Sequence, residues 1–347
     1  MKEISKYLLG FALAAILLAF FLRGVDGAGL VEALRGASFA GIVLAAAVNL
    51  AHNVFRTWRW RSLLAPVRSD VAFRPMFVAI IVGFLTTWVL PGRLGELVRP
   101  ALLSTRERIP IGPCLGSVVA DRILDGAAIL LLFAVGAWST PIGGAAAESL
   151  RGAAVVMVIV VATFLAGSVV AGSFRGAIGR FVEGRRGALR GLGRLFLAVA
   201  EGTEALRRPR LLGAVALHSV LAWLTIAAGI WIGVRASGAA VPFPAVLVML
   251  PILAFGVAVP TPGGTGGYHL AMKAGLAGLF GVGEASAAAA GILMHLAVIV
   301  PVIVLGLVFL RTERVSWHDL LVAARGLRDV GSRAAGRVSP DALEEPR

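Results

Sequence analysis

Glu96 and Arg99, in the stretch WVLPGRLGELVRP (88–100), lie three residues apart and so share one face of a helix. Further on, in SVVADRILDGAAILLLF (117–133), Asp121 and Asp125 are four apart on one helical face, with Arg122 alongside. All of them sit beside or within apolar runs, where an ionisable group is costly and marks a candidate functional position. Two chemistries suit the set. The groups could form one internal salt-bridge cluster that only fixes packing, or an arginine could hold an anionic ligand such as a lipid phosphate. Arg122 has the same choice: Glu96, an aspartate, or a phosphate.

Glycine and proline interrupt the apolar pattern at two places, LPGRLGE (90–96), which contains Gly92, Arg93 and Gly95, and VPTPGGTGG (259–267), which contains Gly263, Gly264 and Gly266. Proline ends an incoming helix and glycine permits a tight turn. Each break is expected to open a half-helix, near Leu94 in one case and Gly266 in the other. Free N–H groups and the positive end of the helix dipole at such a start would bind an anion, and glycine would let backbone approach a phosphate. Behind the second break, His269 and Lys273 follow at i, i+4. Lys273 is one of three lysines, the other two being Lys2 and Lys6. It is either a ligand contact or a snorkelling surface group.

Enzyme chemistry finds no footing. There is no H-E-x-x-H, Walker loop, serine elbow or cysteine–histidine pair, and GGTGG is too irregular for a nucleotide fingerprint. The single cysteine, Cys114, rules out an internal disulfide and a cysteine-based metal cluster and is expected to pack as a small residue. His218 and His295 stand alone on apolar runs and read as hydrogen-bonded core histidines. Asn49, His52 and Asn53 precede RTWRWRSLL (56–64), whose Trp58, Trp60, Arg56, Arg59 and Arg61 read as an interfacial anchor. No catalytic residue, cofactor or metal is expected.

The elements that position these residues must be membrane helices. The 347 residues are 58% hydrophobic and 15% charged, with a mean hydropathy of +0.88, against about 25% charged in soluble domains. A net charge of +14 could suggest nucleic acid, but the basic residues lie in short segments beside apolar runs, which fits topology signals and an anionic lipid surface instead. Full spans are expected near 8–22, 38–55, 115–138, 152–173, 211–233 and 286–310. The apolar stretches 76–90 and 244–260 end at the two breaks. With the N-terminus cytoplasmic, the inner segments 1–7, 56–75, 91–112, 174–210 and 311–347 hold 2, 5, 4, 9 and 7 of the 33 basic residues. The outer loops 23–37, 139–150, 234–243 and 281–284 hold 2, 0, 1 and 0.

That asymmetry favours re-entrant stretches at 76–90 and 244–260, the first from the cytoplasm and the second from outside, over the alternative of two helix pairs with kinks. The expected fold is therefore all-α: a polytopic helical membrane protein with six full spans and two re-entrant Pro-Gly hairpins related as an inverted repeat. The N-terminal run is expected to stay as an uncleaved first helix, since no A-x-A-like site follows it. Residues 174–210, with six arginines from Arg175 to Arg194 among apolar residues at near-helical spacing, read as a cytoplasmic amphipathic segment on anionic headgroups. The tail 313–347 reads as basic, cytoplasmic and partly disordered.

With RTWRWRSLL, LPGRLGELVRP, ADRILD and PTPGGTGG in this order and spacing, the chain resembles, over about residues 5–312, the membrane region of lysylphosphatidylglycerol synthases. This is a flippase-like family also called uncharacterised protein family 0104. The resemblance implies a lipid-translocating domain of the inner (plasma) membrane, with Arg93, Glu96, Arg99, Arg122 and the glycine breaks in matching positions. The family's second hairpin often carries a glutamate after the glycines; Tyr268, His269 and Lys273 stand here instead, which puts ion coupling and lipid specificity in question. No stretch corresponds to the aminoacyltransferase domain of bifunctional relatives, so no lysylphosphatidylglycerol synthesis is expected. The expected ligand is a membrane phospholipid or a polyprenyl-phosphate-linked lipid. A non-transporting membrane partner of a glycosyltransferase or lipid-modifying enzyme is the other reading. An intramembrane enzyme using Asp121 and Asp125 lacks a nucleophile or metal set.

Overall fold

Capping residues and Pro-Gly breaks cut the apolar runs into eleven α-helices among the described residues, with no strand. The computed structural model describes residues 2–89, 95–140, 144–173, 180, 204–317 and 320. In order, the helices are α1 (Lys2–Leu22), α2 (Gly27–Gly36), α3 (Phe39–Leu64), α4 (Phe73–Val89), α5 (Gly95–Glu107) and α6 (Ile111–Ser139). There follow α7 (Gly144–Ser173), α8 (Pro209–Ala236), α9 (Phe243–Ala258), α10 (Gly267–Lys273) and α11 (Glu284–Thr312). Asp26 caps α2, its carboxylate accepting from the Ala28 and Gly29 N–H groups at 3.3 and 2.8 Å, and Ser38 Oγ accepts from Gly41 N–H at 3.2 Å to start α3.

α3, α8 and α11 are long and apolar enough to cross a membrane, and α1 with α2 makes a fourth such element if the pair, bent by 91°, counts as one span. The spans expected at 115–138 and 152–173 fall within α6 and α7, helices of 29 and 30 residues. Large apolar side chains face outward, Leu9, Phe39 and Phe255 among them. In a lipid environment such exposure costs nothing, and the protein is a membrane protein.

α3 and α8 run antiparallel in close contact. Small residues allow the approach: the missing side chain of Gly229 faces Asn49 and the Ala45 carbonyl, and that of Gly41 faces Ala236. The Ser38 N–H donates to the Ala236 carbonyl at 2.8 Å where the two helices end together. Lys273, Arg23 and Glu284 meet at the same end of the molecule as these segments' neighbours α2 and α11. At the other end Arg68 meets the Glu107 carbonyl, and Arg74 and Arg106 meet Glu313.

α5 packs along α4 and α10 along α9, and the two pairs share a device. α5 returns along α4 so closely that a methyl on Gly95 would fall on the Gly83 carbonyl and Thr87 Oγ1. α10 returns along α9 with Gly267 against the Gly256 carbonyl, and Gly275, in a π-helical turn (Ala274–Leu279), sits against Met249. Each hairpin anchors its own apolar core. One gathers Val78, Val82, Val98, Leu102 and Leu103 of α4 and α5; the other gathers Met249, Leu253, Met272 and Leu276 around α9 and α10. The tips touch. Gly263 and Gly264 lie against the carbonyl and ring of Trp88, at the end of α4.

The half-helices start where the sequence placed them, α5 at Gly95 and α10 at Gly267. Gly92 and Arg93, and nearly all of the expected amphipathic segment 174–210, lie outside the described residues. The segment expected as tail from 313 begins inside the fold, with Val315, Trp317 and Leu320 packed on the α4–α5 core.

Candidate functional site

α3 corrects the sequence reading of residues 56–61. The helix does not stop near 55 but continues to Leu64, carrying one polar stripe inward through Asn49, Asn53, Arg56 and Trp60 at spacings of four, three and four. Arg59 flanks that stripe. Arg56, Arg59 and Trp60 are therefore core residues, not an interfacial anchor. Trp60 is fully buried and its indole N–H donates to Ser117 Oγ at 2.8 Å. Trp58 and Arg61 remain on the outer face, stacked with each other at 5.3 Å.

The two aspartates of α6 receive the arginines of α3. Asp121 Oδ1 accepts from Arg59 Nε at 2.8 Å and lies 2.6 Å from its Nη2. Asp121 Oδ2 accepts from Arg56 Nη2 at 2.9 Å and from Arg99 Nη1 of α5 at 2.7 Å. Asp125 Oδ1 accepts from Arg59 Nη2 at 2.7 Å and from the Trp223 indole of α8 at 3.0 Å; its Oδ2 accepts from Arg56 Nη2 at 2.6 Å and lies 3.3 Å from Arg122 Nη1. Arg59 Nη1 reaches Ser219 Oγ at 3.4 Å. One ionic cluster thus ties α3, α5, α6 and α8 together.

The charges in that cluster do not balance. Four guanidiniums (Arg56, Arg59, Arg99, Arg122) face two carboxylates, an excess of two positive charges. Glu96, 4.0 Å from Arg122 Nε and half exposed, reduces it to one. Arg59 is engaged on every side, whereas among the described residues Arg99 Nε and Nη2, Arg56 Nε and Arg122 Nε have no hydrogen-bond partner. Arg99 lies over the face of Trp60, 3.9 Å from its centroid, and Arg56 over Phe84 at 5.3 Å. Taking such ions from water costs several kcal/mol each, so a surplus of them is not what packing alone would select.

The surplus borders a cavity of about 360 Å³ between the two apolar cores. Arg56, Arg99, Arg122, Glu96 and Asp125 line one part of it; Trp88, Tyr268 and His295 line another. The volume falls at the lower end of small-molecule pockets, about 300–1,000 Å³, enough for a headgroup and not for acyl chains.

Of the residues singled out by sequence, the structure brings Gly95, Glu96, Arg99, Arg122 and Asp125 to the cavity wall, with Asp121 directly behind. Gly263, Gly264, Gly266, His269 and Lys273 are off that wall. Gly266 has φ +85° and packs on Ala14 and Leu17 of α1. Its N–H is taken by His269 Nδ1 at 3.3 Å. Lys273 Nζ donates to the carbonyls of Phe21 and Arg23 at 3.0 and 2.6 Å and pairs with Glu284 at 2.6 Å, so it clasps the end of α1 to the start of α11. Sequence reasoning missed Arg56, Arg59, Trp223 and Tyr268 as members of the site. The stripe Asn49–Asn53–Arg56–Trp60 was the available signal.

The family model of the lysylphosphatidylglycerol synthase TM region matches residues 7–306, an interval that includes both hairpins, the ionic cluster and the cavity. A UPF0104 membrane protein of Methanocaldococcus jannaschii is 28% identical over 99 residues, covering 27% of this chain. The chain spans about 30% of the length of that curated relative.

Proposed function

Because the chain belongs to the lysylphosphatidylglycerol synthase TM-region family, we propose that it moves a lipid with an anionic, phosphate-bearing headgroup between membrane leaflets. One observation carries the reading: Arg56, Arg99 and Arg122 line a headgroup-sized cavity and hold buried guanidinium N–H groups with no hydrogen-bond partner among the described residues. A buried charged donor without an acceptor is costly until an anion meets it. A phosphodiester brings two acceptor oxygens and one negative charge, which offsets the excess beside Arg99, Arg56 and Arg122. The ligand is a phospholipid or a polyprenyl-phosphate-linked lipid, its chains remaining in the bilayer.

The transport geometry follows from the hairpins. They enter from opposite ends, each closes on a glycine pair, and they meet at Trp88 and Gly263–Gly264, a relation that supports an inverted repeat about the cavity. The end bearing Arg68, Arg74 and Arg106 faces the cytoplasm of a plasma-membrane protein, with both termini inside, as the loop charges favour. α1, α6 and α7 join α3, α8 and α11 as the six spans.

The test is reconstitution of the purified full chain into phosphatidylcholine vesicles with a trace of fluorescent phosphatidylglycerol, or of a fluorescent polyprenyl phosphate. Loss of outer-leaflet fluorescence to dithionite should extend to the inner leaflet at a rate above that of protein-free vesicles. Folded protein that leaves both lipids at the protein-free rate would make it a non-transporting membrane partner instead.

A further inference from the structure

The cavity has two chemically different walls. α3, α5 and α6 present the cationic one described above. The other, from α10 and α11, is neutral and polar. The Tyr268 hydroxyl is buried with no hydrogen-bond partner among the described residues, and the ring is stacked on His295 at 5.3 Å and 22°. The His295 Nε2–H donates to the Gly263 carbonyl at 2.9 Å, which leaves Nδ1 of the neutral ring as an acceptor. His52 repeats the device: its Nδ1–H donates to the Asn49 carbonyl, leaving Nε2 as an acceptor beside the cavity.

Phosphate alone leaves part of this lining unanswered, because it offers no donor for the free ring nitrogens of His295 and His52. A donor must be an O–H or an N–H. An ammonium would sit against an excess of guanidinium charge in a medium where like charges repel strongly. Two aromatic faces beside the cluster are already taken, since Arg99 covers Trp60 and Arg56 covers Phe84. Hydroxyls remain.

We infer that the headgroup is a phosphodiester whose further substituent is neutral and bears hydroxyls, a glycerol or a sugar, read by Tyr268, His295 and His52, and that a cationic, aminoacylated headgroup is rejected. The inference rests on the phosphate-lipid reading above and sharpens it. A site built to hydrogen-bond a hydroxyl discriminates strongly against the analogue lacking it, because its own buried polar groups are then left unpaired.

Binding tests this apart from transport. The full chain in detergent is titrated with short-chain lipids of equal charge, dihexanoyl phosphatidylglycerol and dihexanoyl phosphatidylpropanol, which differ by two hydroxyls. Hexyl phosphoglucose supplies the sugar arm and dihexanoyl lysylphosphatidylglycerol the cationic one. The glycerol or the sugar compound should bind at least tenfold more tightly than the propanol compound, and the tighter of the two names the source of the hydroxyls. The lysyl lipid should bind at least tenfold more weakly than phosphatidylglycerol. Tyr268→Phe should shrink the hydroxyl preference several-fold while phosphatidylpropanol affinity stays within twofold, which also reports an intact fold. A preference below twofold, equal binding of the lysyl lipid, or a Tyr268→Phe loss shared by all ligands overturns the inference. A preserved preference without lipid movement in vesicles leaves it standing and removes the translocation reading alone.

Discussion

Arg99→Met separates a guanidinium held for a ligand from one held for the fold. Methionine keeps much of the apolar volume over Trp60 and deletes the charge. Among the described residues Arg99 makes one hydrogen bond, to Asp121 Oδ2, and that oxygen keeps Arg56 at 2.9 Å. Against the lost bond, worth about 1.5–3 kcal/mol for a charged group, stands relief of an arginine whose placement at bilayer depth costs about 2.5–3.5 kcal/mol. The net stability change is expected to run from about 0.5 kcal/mol of loss to about 2 kcal/mol of gain. Arg59→Met is the opposite case. Arg59 contacts both aspartates and Ser219, so its loss breaks all of these buried contacts at once, leaves Asp121 Oδ1 with no partner among the described residues, and should cost about 3–5 kcal/mol. For ligand, removing one charge-assisted bond from Arg99 to a phosphate predicts a loss of roughly 10- to 150-fold in affinity. Thermal unfolding in detergent beside titration with dihexanoyl phosphatidylglycerol reads both quantities on each variant. The reasoning is refuted if Arg99→Met unfolds as readily as Arg59→Met, or if it binds the lipid with wild-type affinity.

Gly126 lines the cavity beside Asp125 with nothing within 4 Å of an added side chain, so Gly126→Ala should fold at least as stably as wild type. Gly126→Asp should also fold yet bind phosphatidylglycerol at least tenfold more weakly, and unchanged binding would place the headgroup elsewhere. Lys273→Met should lower thermal stability and speed proteolysis between α1 and α2 with lipid affinity within twofold; a large affinity loss in a stable variant would restore Lys273 to the ligand site. In a Cys114→Ser background, Asp70→Cys and Glu32→Cys should label with an impermeant maleimide from opposite sides of the membrane, and labelling from one side only would break the topology.

What could be read from sequence was whatever is local. Asp121 and Asp125 at a spacing of four, Glu96 and Arg99 at three, and the two Pro-Gly breaks each carry their geometry within a few residues, and α5 and α10 begin within one residue of the expected starts. The chemistry of residues 56–61 was hidden because their partners are distant in the chain: Arg59 meets Asp121 across 62 positions. Locally, three arginines and two tryptophans after an apolar run look like an interface. Lys273 was ambiguous for the same reason, its carbonyl partners lying about 250 residues earlier. The glycines at the breaks were legible as breaks, but not in their use. At Gly95 the backbone that comes close is the protein's own Gly83 rather than a ligand, which also makes Gly95 unsuitable for a charge-insertion test.

The pairing of α3 with α6 also constrains biogenesis. During synthesis Arg56 and Arg59 emerge well before Asp121 and Asp125, and at about 5–20 residues per second the interval is about 3–12 s for the 62 residues between Arg59 and Asp121. Through that time α3 cannot settle at its final depth without two unneutralised arginines, each carrying an insertion cost of about 2.5–3.5 kcal/mol. Its cationic half is held at the headgroup layer until α6 arrives, and the helix sinks as the aspartates engage. Insertion of this half of the protein is therefore a paired event, in which a later helix completes the placement of an earlier one.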